Sequence, residues 1–456
     1  MNISPIAIAC LLAVPSFAAQ DDHWPSWRGP DATGVARGDA PATWGTDKHI
    51  AWSIELPGLG GSTPIIWGDR IYLTTAIPTD PEAVAEAERK AADEAEKRRQ
   101  EGGGRDRGRG GFEAVPLVEH SFEVVCLDRE TGEIIWNEVS AVATPHEGHH
   151  KQYGSFASAS PVTDGERLYV SFGSQGLYTY DMKGELLWDF DHEVDLVMRR
   201  AFGEGHSPVI AGNAIVMVCD QEEDSFVFAV DKKTGKELWR KDRDEPSAWA
   251  TPLVTVVGDR LQLVTSGTNR IRSYAAATGE LLWECGGLGV NAIPSVMRHG
   301  DTVLAMSGYK EPKLMAVKLG GEGDLTDTEA VLWQTTKGCS YTASPVLHDG
   351  RYYTVSDRGF ISCFDAASGE PHYLEQRLPR GSTLKASPIA AGEFLYVPTE
   401  SGEVHVITLG DELEIAHTNM LEGQVFIASP AVANGELFLR SNTHLFCISE
   451  RPRTKK

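Results

Sequence analysis

The chain has 456 residues, 41% of them hydrophobic, and its 65 acidic residues against 42 basic ones give a formal net charge of −23. This charge argues against a nucleic acid or an anionic membrane surface as the main partner. The length alone suggests about three domains, but internal repeats allow a chain of this size to close as one domain.

The first residues have the pattern of a secretory signal peptide. An apolar run from Ile6 to Val14 precedes Ser16-Phe17-Ala18, which fits the small-x-small cleavage rule. The run is far shorter than the ~20 residues that a membrane span requires. We therefore predict a signal peptide over residues 1–18, a periplasmic or secreted protein without a transmembrane segment, and an N-terminal extension over residues 19–48.

One short sequence motif recurs along the chain. "DKKTGKELW" (Asp231–Trp239) has close copies at Asp128–Trp136, Asp181–Trp188 and Ala276–Trp283. Gly235 suits the positive φ of a tight hairpin, and Asp231 suits hydrogen bonds to the amides of that turn. A Trp repeated in this way is expected to pack between neighbouring units. Because acidic residues that occur once per unit do not converge on one place, we interpret the motif as structural and not catalytic.

A second motif, a small residue followed by Pro and an apolar run, gives the period of the repeat. It occurs at Pro64, Pro161, Pro208, Pro252, Pro345, Pro388 and Pro430, and a variant occurs at Pro294. The steps are 42 to 51 residues from Pro161 onward. This is the period of a four-stranded propeller blade, and each unit shows four short alternating strands. The pattern predicts an all-β, eight-bladed propeller over residues 49–450.

The two ends of the chain are predicted to share the last blade. His49–Leu56 has the Trp-bearing pattern of a fourth strand but precedes the first Pro-led strand, whereas the final unit stops one strand short. Pairing the two ends removes an exposed sheet edge. Trp52 then takes the place that Trp239 has in its own blade.

Residues 79–118 interrupt the first blade. Their first half has helical composition with mixed charges, and "EGGGRDRGRGG" follows it. The second part is typical of disordered sequence. We interpret the insertion as a solvated loop, with an RNA-binding RG tract as the alternative.

Three cysteines occupy one repeated strand position. Cys126, Cys363 and Cys447 stand where other units have Thr179, Ala229, Ser273 and Ala316. A position that accepts these residues is small and packed. We expect buried free thiols there and not disulfides, and the absence of a C-x-x-C pair argues against a zinc site or redox motif.

The A/L-x-D-x-x-T-G-x-x-x-W motifs resemble those of the pyrroloquinoline-quinone-like (PQQ-like) eight-bladed propellers. Trp24–Val35 resembles the start of secreted members of this family whose role is not established. The resemblance implies two kinds of function. The quinoprotein alcohol and glucose dehydrogenases hold PQQ in the central funnel with calcium, whereas the outer-membrane assembly lipoprotein is a protein-binding scaffold. This sequence has neither the vicinal Cys-Cys pair nor the haem-attachment motif of many dehydrogenases.

We therefore favour a non-catalytic, monomeric binding module that recognises protein or glycan on a propeller face. A PQQ- and calcium-dependent alcohol or aldose dehydrogenase is the alternative.

If a ligand site exists, we expect it where the repeats diverge, just before each Pro. The residues three positions before Pro are Gly61, Ser158, Gly205, Trp249, Asn291, Thr342, Lys385 and Ile427. We predict that Trp249, Asn291 and Lys385, with His206 and Tyr341, line the funnel as a cofactor site, and that Glu204 and Asn291 are the calcium ligands if the protein is calcium-dependent. Alternatively, Trp249 plugs the channel, Lys385 reaches solvent and Asn291 caps a turn.

The loop Thr144–Ser155 contains His146, His149 and His150 beside one Glu. These side chains are suited to a divalent metal. Their irregular spacing favours a solvent-exposed polar loop instead.

Overall fold

A computed structural model of the chain describes residues 23–45, 48–100 and 115–451. The predicted signal peptide and the Gly/Arg-rich tract lie outside these residues. Eight sheets form within the described residues, each with four antiparallel strands from the axis outward, and one of them has a short fifth strand at its outer edge. The predicted eight-bladed all-β propeller is confirmed.

The strands of the first four blades follow one another along the chain. Blade 1 comprises β2 (Ile65–Trp67), β3 (Arg70–Pro78), β4 (His120–Asp128) and β5 (Ile134–Ala143). Blade 2 comprises β6 (Val162–Thr163), β7 (Arg167–Ser171), β8 (Leu177–Asp181) and β9 (Leu186–Phe190). Blade 3 comprises β10 (Val209–Ala211), β11 (Ala214–Cys219), β12 (Ser225–Asp231) and β13 (Glu237–Arg243). Blade 4 comprises β14 (Leu253–Val257), β15 (Arg260–Ser266), β16 (Arg270–Ala275) and β17 (Leu281–Gly286), and the short β21 (Gly323–Asp324) pairs with β17 in parallel.

The remaining blades complete the ring. Blade 5 comprises β18 (Met297–His299), β19 (Thr302–Ser307), β20 (Lys313–Lys318) and β22 (Val331–Thr335). Blade 6 comprises β23 (Val346–His348), β24 (Arg351–Val355), β25 (Phe360–Asp365) and β26 (Pro371–Arg377). Blade 7 comprises β27 (Ile389–Ala391), β28 (Phe394–Pro398), β29 (Glu403–Thr408) and β30 (Glu414–Met420). Blade 8 comprises β31 (Ala431–Ala433), β32 (Glu436–Arg440), β33 (His444–Ile448) and, from the other end of the chain, β1 (Ile50–Glu55).

The repeated T-G motif packs neighbouring blades against each other, as predicted. In blade 3, Gly235 has φ +70°, and a Cβ atom there would lie 2.7 Å from the indole of Trp188 in blade 2. Trp239 is 7% exposed and its Nε1 donates to the carbonyl of Ala276 in blade 4, whereas Leu238 is 50% exposed. Glycine is therefore required both for the turn and for the close approach of the preceding blade.

The small strand position lies opposite the aromatic residue of the fourth strand. Register pairs are Cys126 with Trp136, Thr179 with Trp188, Ala229 with Trp239, Ser273 with Trp283, Ala316 with Trp333, Cys363 with Tyr373 and Cys447 with Trp52. All seven small residues are inaccessible to solvent. None of the six cysteines in the described part of the chain forms a disulfide, which agrees with the expectation for Cys126, Cys363 and Cys447.

The ring closes through the two ends of the chain. β1 pairs antiparallel with β33, and Trp52 lies opposite Cys447. The Trp52 indole packs against Gly132 of blade 1, and its Nε1 donates to the carbonyl of Arg129. Trp52 thus makes the contacts that Trp239 makes in blade 3, which confirms the prediction.

The blades are also joined near the axis by serine hydroxyls. The backbone N–H of Ser160 donates to Ser207 Oγ in the next blade, that of Ser344 to Ser387 Oγ, and that of Ser387 to Ser429 Oγ. These serines immediately precede the Pro of each inner strand. The recurring Ser-Pro motif therefore has a second role, because its hydroxyls link neighbouring blades around part of the axis.

The same hydrogen bond corrects the predicted alignment of blade 5. Ser295 N–H donates to Ser344 Oγ, so Ser295 is the equivalent of Ser344. The inner strand β18 begins two residues after Ser295, as β23 begins two residues after Ser344. Pro294 consequently stands two residues before the position of the other prolines. The residue at the funnel position of blade 5 is Ile293 and not Asn291.

The N-terminal extension crosses the axis. Trp24 forms a β-bridge with Ile66 of blade 1, and Val35 forms one with Ala390 of blade 7. Between them Arg28 is 3% exposed, and its guanidinium donates to the carbonyls of Pro345 and Pro388 at 2.6 and 2.9 Å. Burial lowers the pKa of Arg28 to about 9. This segment thus links the inner parts of blades 1, 6 and 7.

The insertion in blade 1 contains a helix, α1 (Pro81–Gln100), between β3 and β4. Successive connections in an antiparallel meander alternate between two sides of a blade. The connection between second and third strands is therefore on the same side as the connection to the next blade. We call this side, which carries α1 and the residues preceding each inner strand, the mouth face.

Candidate functional site

A cavity of about 190 Å³ opens on the axis at the mouth face. The residues three positions before each inner strand's Pro position all line it: Gly61, Ser158, Gly205, Trp249, Ile293, Thr342, Lys385 and Ile427. Trp27 of the N-terminal segment and Tyr153 also contribute. Of the residues predicted to line the funnel, Trp249 and Lys385 lie in the wall of this cavity.

Trp249 presents mainly its ring to the cavity. Its Nε1 donates to the carbonyl of Gly203 at 2.8 Å, which fixes the indole and uses its only donor. Phe202 packs beside it, with ring centroids 6.3 Å apart. Trp249 is partly exposed and does not fill the channel, so its ring is available as an apolar platform.

Lys385 forms an ion pair with Asp357, which the sequence did not identify. Lys385 Nζ lies 2.5 Å from Asp357 Oδ2 and 4.5 Å from the ring centroid of Tyr153. Asp357 Oδ1 accepts bonds from the N–H and the hydroxyl of Thr342. Asp357 belongs to the connection between β24 and β25. A search restricted to residues before Pro therefore missed it, although this connection reaches the same face.

Tyr153 lines the cavity beside this pair, and Glu400 lies next to Tyr153. Burial raises the pKa of Tyr153, and the Glu400 carboxylate, with which the phenol hydrogen-bonds, raises it further. The His150 ring stacks on Tyr153 with centroids 4.4 Å apart. Burial lowers the pKa of His150, and the nearby Lys385 lowers it further, so this imidazole is neutral at pH 7.

Asn291 and Tyr341 do not line the axial cavity. Asn291 has φ +61° and is 1% exposed, and its Nδ2 donates to the hydroxyl of Tyr341 at 3.2 Å. Tyr341 stacks on Tyr309 with centroids 5.1 Å apart. The predicted cofactor role of Asn291 depended on the incorrect blade 5 alignment. The alternative, in which it stabilises a turn, agrees with its backbone conformation.

Glu204 and His206 line a second, smaller cavity of about 40 Å³ between blades 2 and 3. The Glu204 carboxylate accepts bonds from the N–H and hydroxyl of Ser174, both at 2.6 Å. Burial raises the pKa of Glu204 to about 7 and lowers the pKa of His206. Glu204 is thus directed at the connection after β7, away from Asn291.

The histidines of the 144–155 loop have packing roles. His149 is 7% exposed and its ring lies edge-on to Phe156, while His146 Nε2 hydrogen-bonds with the carbonyl of Leu196. Among the residues that the structure describes, no three His, Cys, Asp or Glu side chains form a metal-binding group. The expectation of a solvent-exposed loop is therefore wrong for His149.

Comparison with known proteins assigns the family. The PQQ_2 family model, described as outer membrane protein assembly factor BamB, matches residues 175–418, which is more than half of the chain. The chain belongs to the PQQ_2 family. Outer membrane protein assembly factor BamB of Burkholderia pseudomallei (strain K96243) is 26% identical over 329 residues, which cover 71% of this PQQ_2 propeller and 78% of that protein.

Solved structures share the fold at low sequence identity. BamB from Moraxella catarrhalis is 14% identical with a TM-score of 0.53, covering 72% of this chain and 93% of that one. A europium-containing methanol dehydrogenase is 10% identical with a TM-score of 0.60, covering 94% and 98%. The quinohemoprotein alcohol dehydrogenase from Comamonas testosteroni is 9% identical with a TM-score of 0.60, covering 97% and 82%. These likenesses establish the propeller fold alone.

The residues of this PQQ_2 propeller do not fit a quinone with calcium. A calcium site needs six to eight converging oxygens, whereas the Glu204 carboxylate accepts two bonds from Ser174 and Asn291 lies outside the cavity that Glu204 lines. The axial cavity of about 190 Å³ is smaller than the ~300–1,000 Å³ typical for drug-sized ligands such as a three-ring quinone. Lys385, which would pair with a quinone carboxylate, is already paired with Asp357.

Among the residues that the structure describes, no helix is both long and apolar enough to cross a membrane. The longest of them, α1, is rich in charged residues.

Proposed function

We propose that this PQQ_2 propeller is a non-catalytic binding protein of the periplasm or cell exterior, and that a protein partner docks on its mouth face. The observation that carries the proposal is the Lys385–Asp357 ion pair. The charged side chain that lines the axial cavity is held by an internal partner, so the funnel offers a shaped surface and not a free acid or base.

The composition of the mouth face supports protein recognition. Phe202, Trp249, Tyr309 and Tyr341 all lie in connections on this face, and Tyr309 stacks on Tyr341 while Phe202 packs on Trp249. Rigid aromatic side chains are enriched where protein interfaces gain most of their binding energy. BamB of Burkholderia pseudomallei, the relative named above, is called an assembly factor, which agrees with such a role.

The helix α1 supports the same assignment. Its 20 residues extend over ~30 Å, and those whose burial is described are exposed or half-buried. A helix that is polar all round gains no stability from a buried apolar face. The exposed position of α1 on the mouth face is consistent with an arm that contacts a partner.

Site-specific photo-crosslinking in the producing cell tests this proposal. A crosslinker at Tyr309, on the mouth face, should give a discrete adduct with one protein, and the same crosslinker at Lys233, in a T-G turn on the opposite face, should not. Equal adducts from both positions would contradict docking on the mouth face.

A cofactor titration tests the non-catalytic part. The purified protein is titrated with PQQ and Ca²⁺ and assayed for dye reduction with alcohols and aldoses, and we expect no saturable binding and no turnover. PQQ binding that is lost in Trp249→Ala would overturn the proposal and establish a dehydrogenase-type site.

A further inference from the structure

The axial cavity is lined by serine hydroxyls that can donate hydrogen bonds. Ser160, Ser207, Ser387 and Ser429 line it, and each is at least 95% buried. Each Oγ accepts a backbone N–H from the preceding blade, namely from Thr63, Ser160, Ser344 and Ser387. A hydroxyl has one proton to donate in addition to the bonds it accepts. Each of these four hydroxyls therefore retains its own proton for donation, and the four residues lie in the wall of the cavity.

Lys385 adds a further donor at the same level. Its ammonium group has three protons, of which one is directed to Asp357 Oδ2 and one side faces the ring of Tyr153. A remaining proton is available to a ligand. The occupant that satisfies these groups must therefore carry several acceptor oxygens.

Local charge favours a neutral occupant. Asp357 and Glu400 are the carboxylates beside Lys385 and Tyr153, so two negative charges face one ammonium. The adjacent His150 is held neutral by burial and by Lys385. An anionic ligand would add a charge to a region that is already net negative, within a protein of net charge −23.

The ring of Trp249 determines the shape of the occupant. Because its N–H is bound to Gly203, only its apolar ring is presented to the cavity. The C–H face of a saturated ring packs well on such a surface, while hydroxyls at the ring edge reach the donors around it. The volume of about 190 Å³ is suited to one six-membered ring and is too small for a drug-sized ligand.

We propose that the axial cavity is a binding site for one neutral pyranose ring, stacked on Trp249 and hydrogen-bonded by Lys385 and the serine hydroxyls. The site is separate from docking of a protein partner on the mouth face, and its existence does not depend on that docking. A sugar residue at the end of a chain, or a free monosaccharide, has this chemistry.

Saturation-transfer NMR on the full mature protein tests the site. The probes are glucose, galactose, mannose and N-acetylglucosamine, with glucuronate and PQQ as charged comparisons, each at up to about 10 mM because single-ring ligands bind weakly. We expect saturation transfer to the ring C–H protons of at least one neutral sugar and saturable binding in calorimetry. A matching oligosaccharide distinguishes a chain end from a free sugar, because it binds only if the terminal ring is recognised.

Variants locate the site. Trp249→Leu should weaken sugar binding at least tenfold, whereas Trp249→Phe, which retains a ring, should weaken it less. Trp67→Leu removes an indole that stacks on His23, away from the cavity, and should leave binding unchanged. Thermal unfolding of each variant separates loss of the fold from loss of the site. Absence of binding to all four neutral sugars, binding of glucuronate or PQQ alone, or equal loss in Trp67→Leu and Trp249→Leu would overturn the proposal.

Discussion

Lys385 Nζ lies 2.5 Å from Asp357 Oδ2 and joins two neighbouring blades at the wall of the axial cavity. Both side chains are shielded from solvent, with 15% and 17% of their surface exposed. An ion pair that is shielded in this way is screened less by solvent and salt than a surface pair. The pair therefore determines the position of the one charged side chain that lines the cavity in the described structure.

We predict that this pair is energetically coupled. In a double-mutant cycle with Lys385→Met and Asp357→Asn, measured by urea unfolding, the coupling free energy should be about 1–3 kcal/mol. The exposed pair of Arg37 and Asp31 serves as the control and should give less than about 1 kcal/mol. Equal coupling in the two cycles would show that Asp357 does not hold Lys385.

Arg28 is predicted to stabilise the ring from its centre. Arg28→Met leaves the carbonyls of Pro345 and Pro388 without their donors, and each bond to a charged donor is worth about 1.5–3 kcal/mol. Relief of the buried charge offsets part of this, so we expect a net loss of about 2–4 kcal/mol in the free energy of unfolding. Arg37→Met, at an exposed site, should change it by less than about 0.5 kcal/mol. No loss for Arg28→Met would show that the axial segment is not structural.

Glu204 is predicted to make stability depend on pH. Its folded-state pKa of about 7 lies above the usual 4.5, so the folded state binds the proton more tightly and its stabilising effect is lost as pH rises from about 4.5 to 7. The pKa shift corresponds to a change of ~3 kcal/mol in the free energy of unfolding, and the partial solvent accessibility of Glu204 reduces this value. Glu204→Gln should therefore be more stable than the natural protein at pH 8 and not at pH 4.5. A stability difference that is independent of pH would contradict the raised pKa.

The cysteines are predicted to be unreactive in the folded protein. Burial raises the pKa of Cys126 and of Cys363 to about 12, so almost no thiolate exists at pH 8. Labelling by a disulfide reagent should therefore proceed only as the protein unfolds, and in guanidinium without reductant all the thiols should react. If two thiols fewer react under those conditions, a disulfide is present.

The repeat predicted most of the fold because each blade requires the same contacts. A glycine in the T-G turn and an aromatic residue such as Trp239 recur because the indole of one blade packs against the turn of the next. Likewise Trp52 could be placed in blade 8 from its sequence alone. Packing that is repeated leaves a repeated signal.

The candidate site left a weaker signal. Pro294 suggested a register for blade 5 that the Ser295–Ser344 hydrogen bond contradicts, and so Asn291 was assigned to the funnel in place of Ile293. Asp357 lies in a connection that has no recurring landmark. Arg28 contacts residues more than 300 positions away, and no local pattern indicates such a contact. Sites formed where repeats differ depend on single side chains, which periodicity does not predict.

The pairing of β1 with β33 also has a consequence for the order of folding. Ile50 pairs with Ile448, so blade 8 cannot be completed until nearly the whole chain has been synthesised. Contacts of such large separation along the chain form slowly, because the entropy of closing the loop must be lost first. Until then Trp52 and the edge of β33 are exposed, and the nascent protein is most vulnerable to aggregation and proteolysis during this interval.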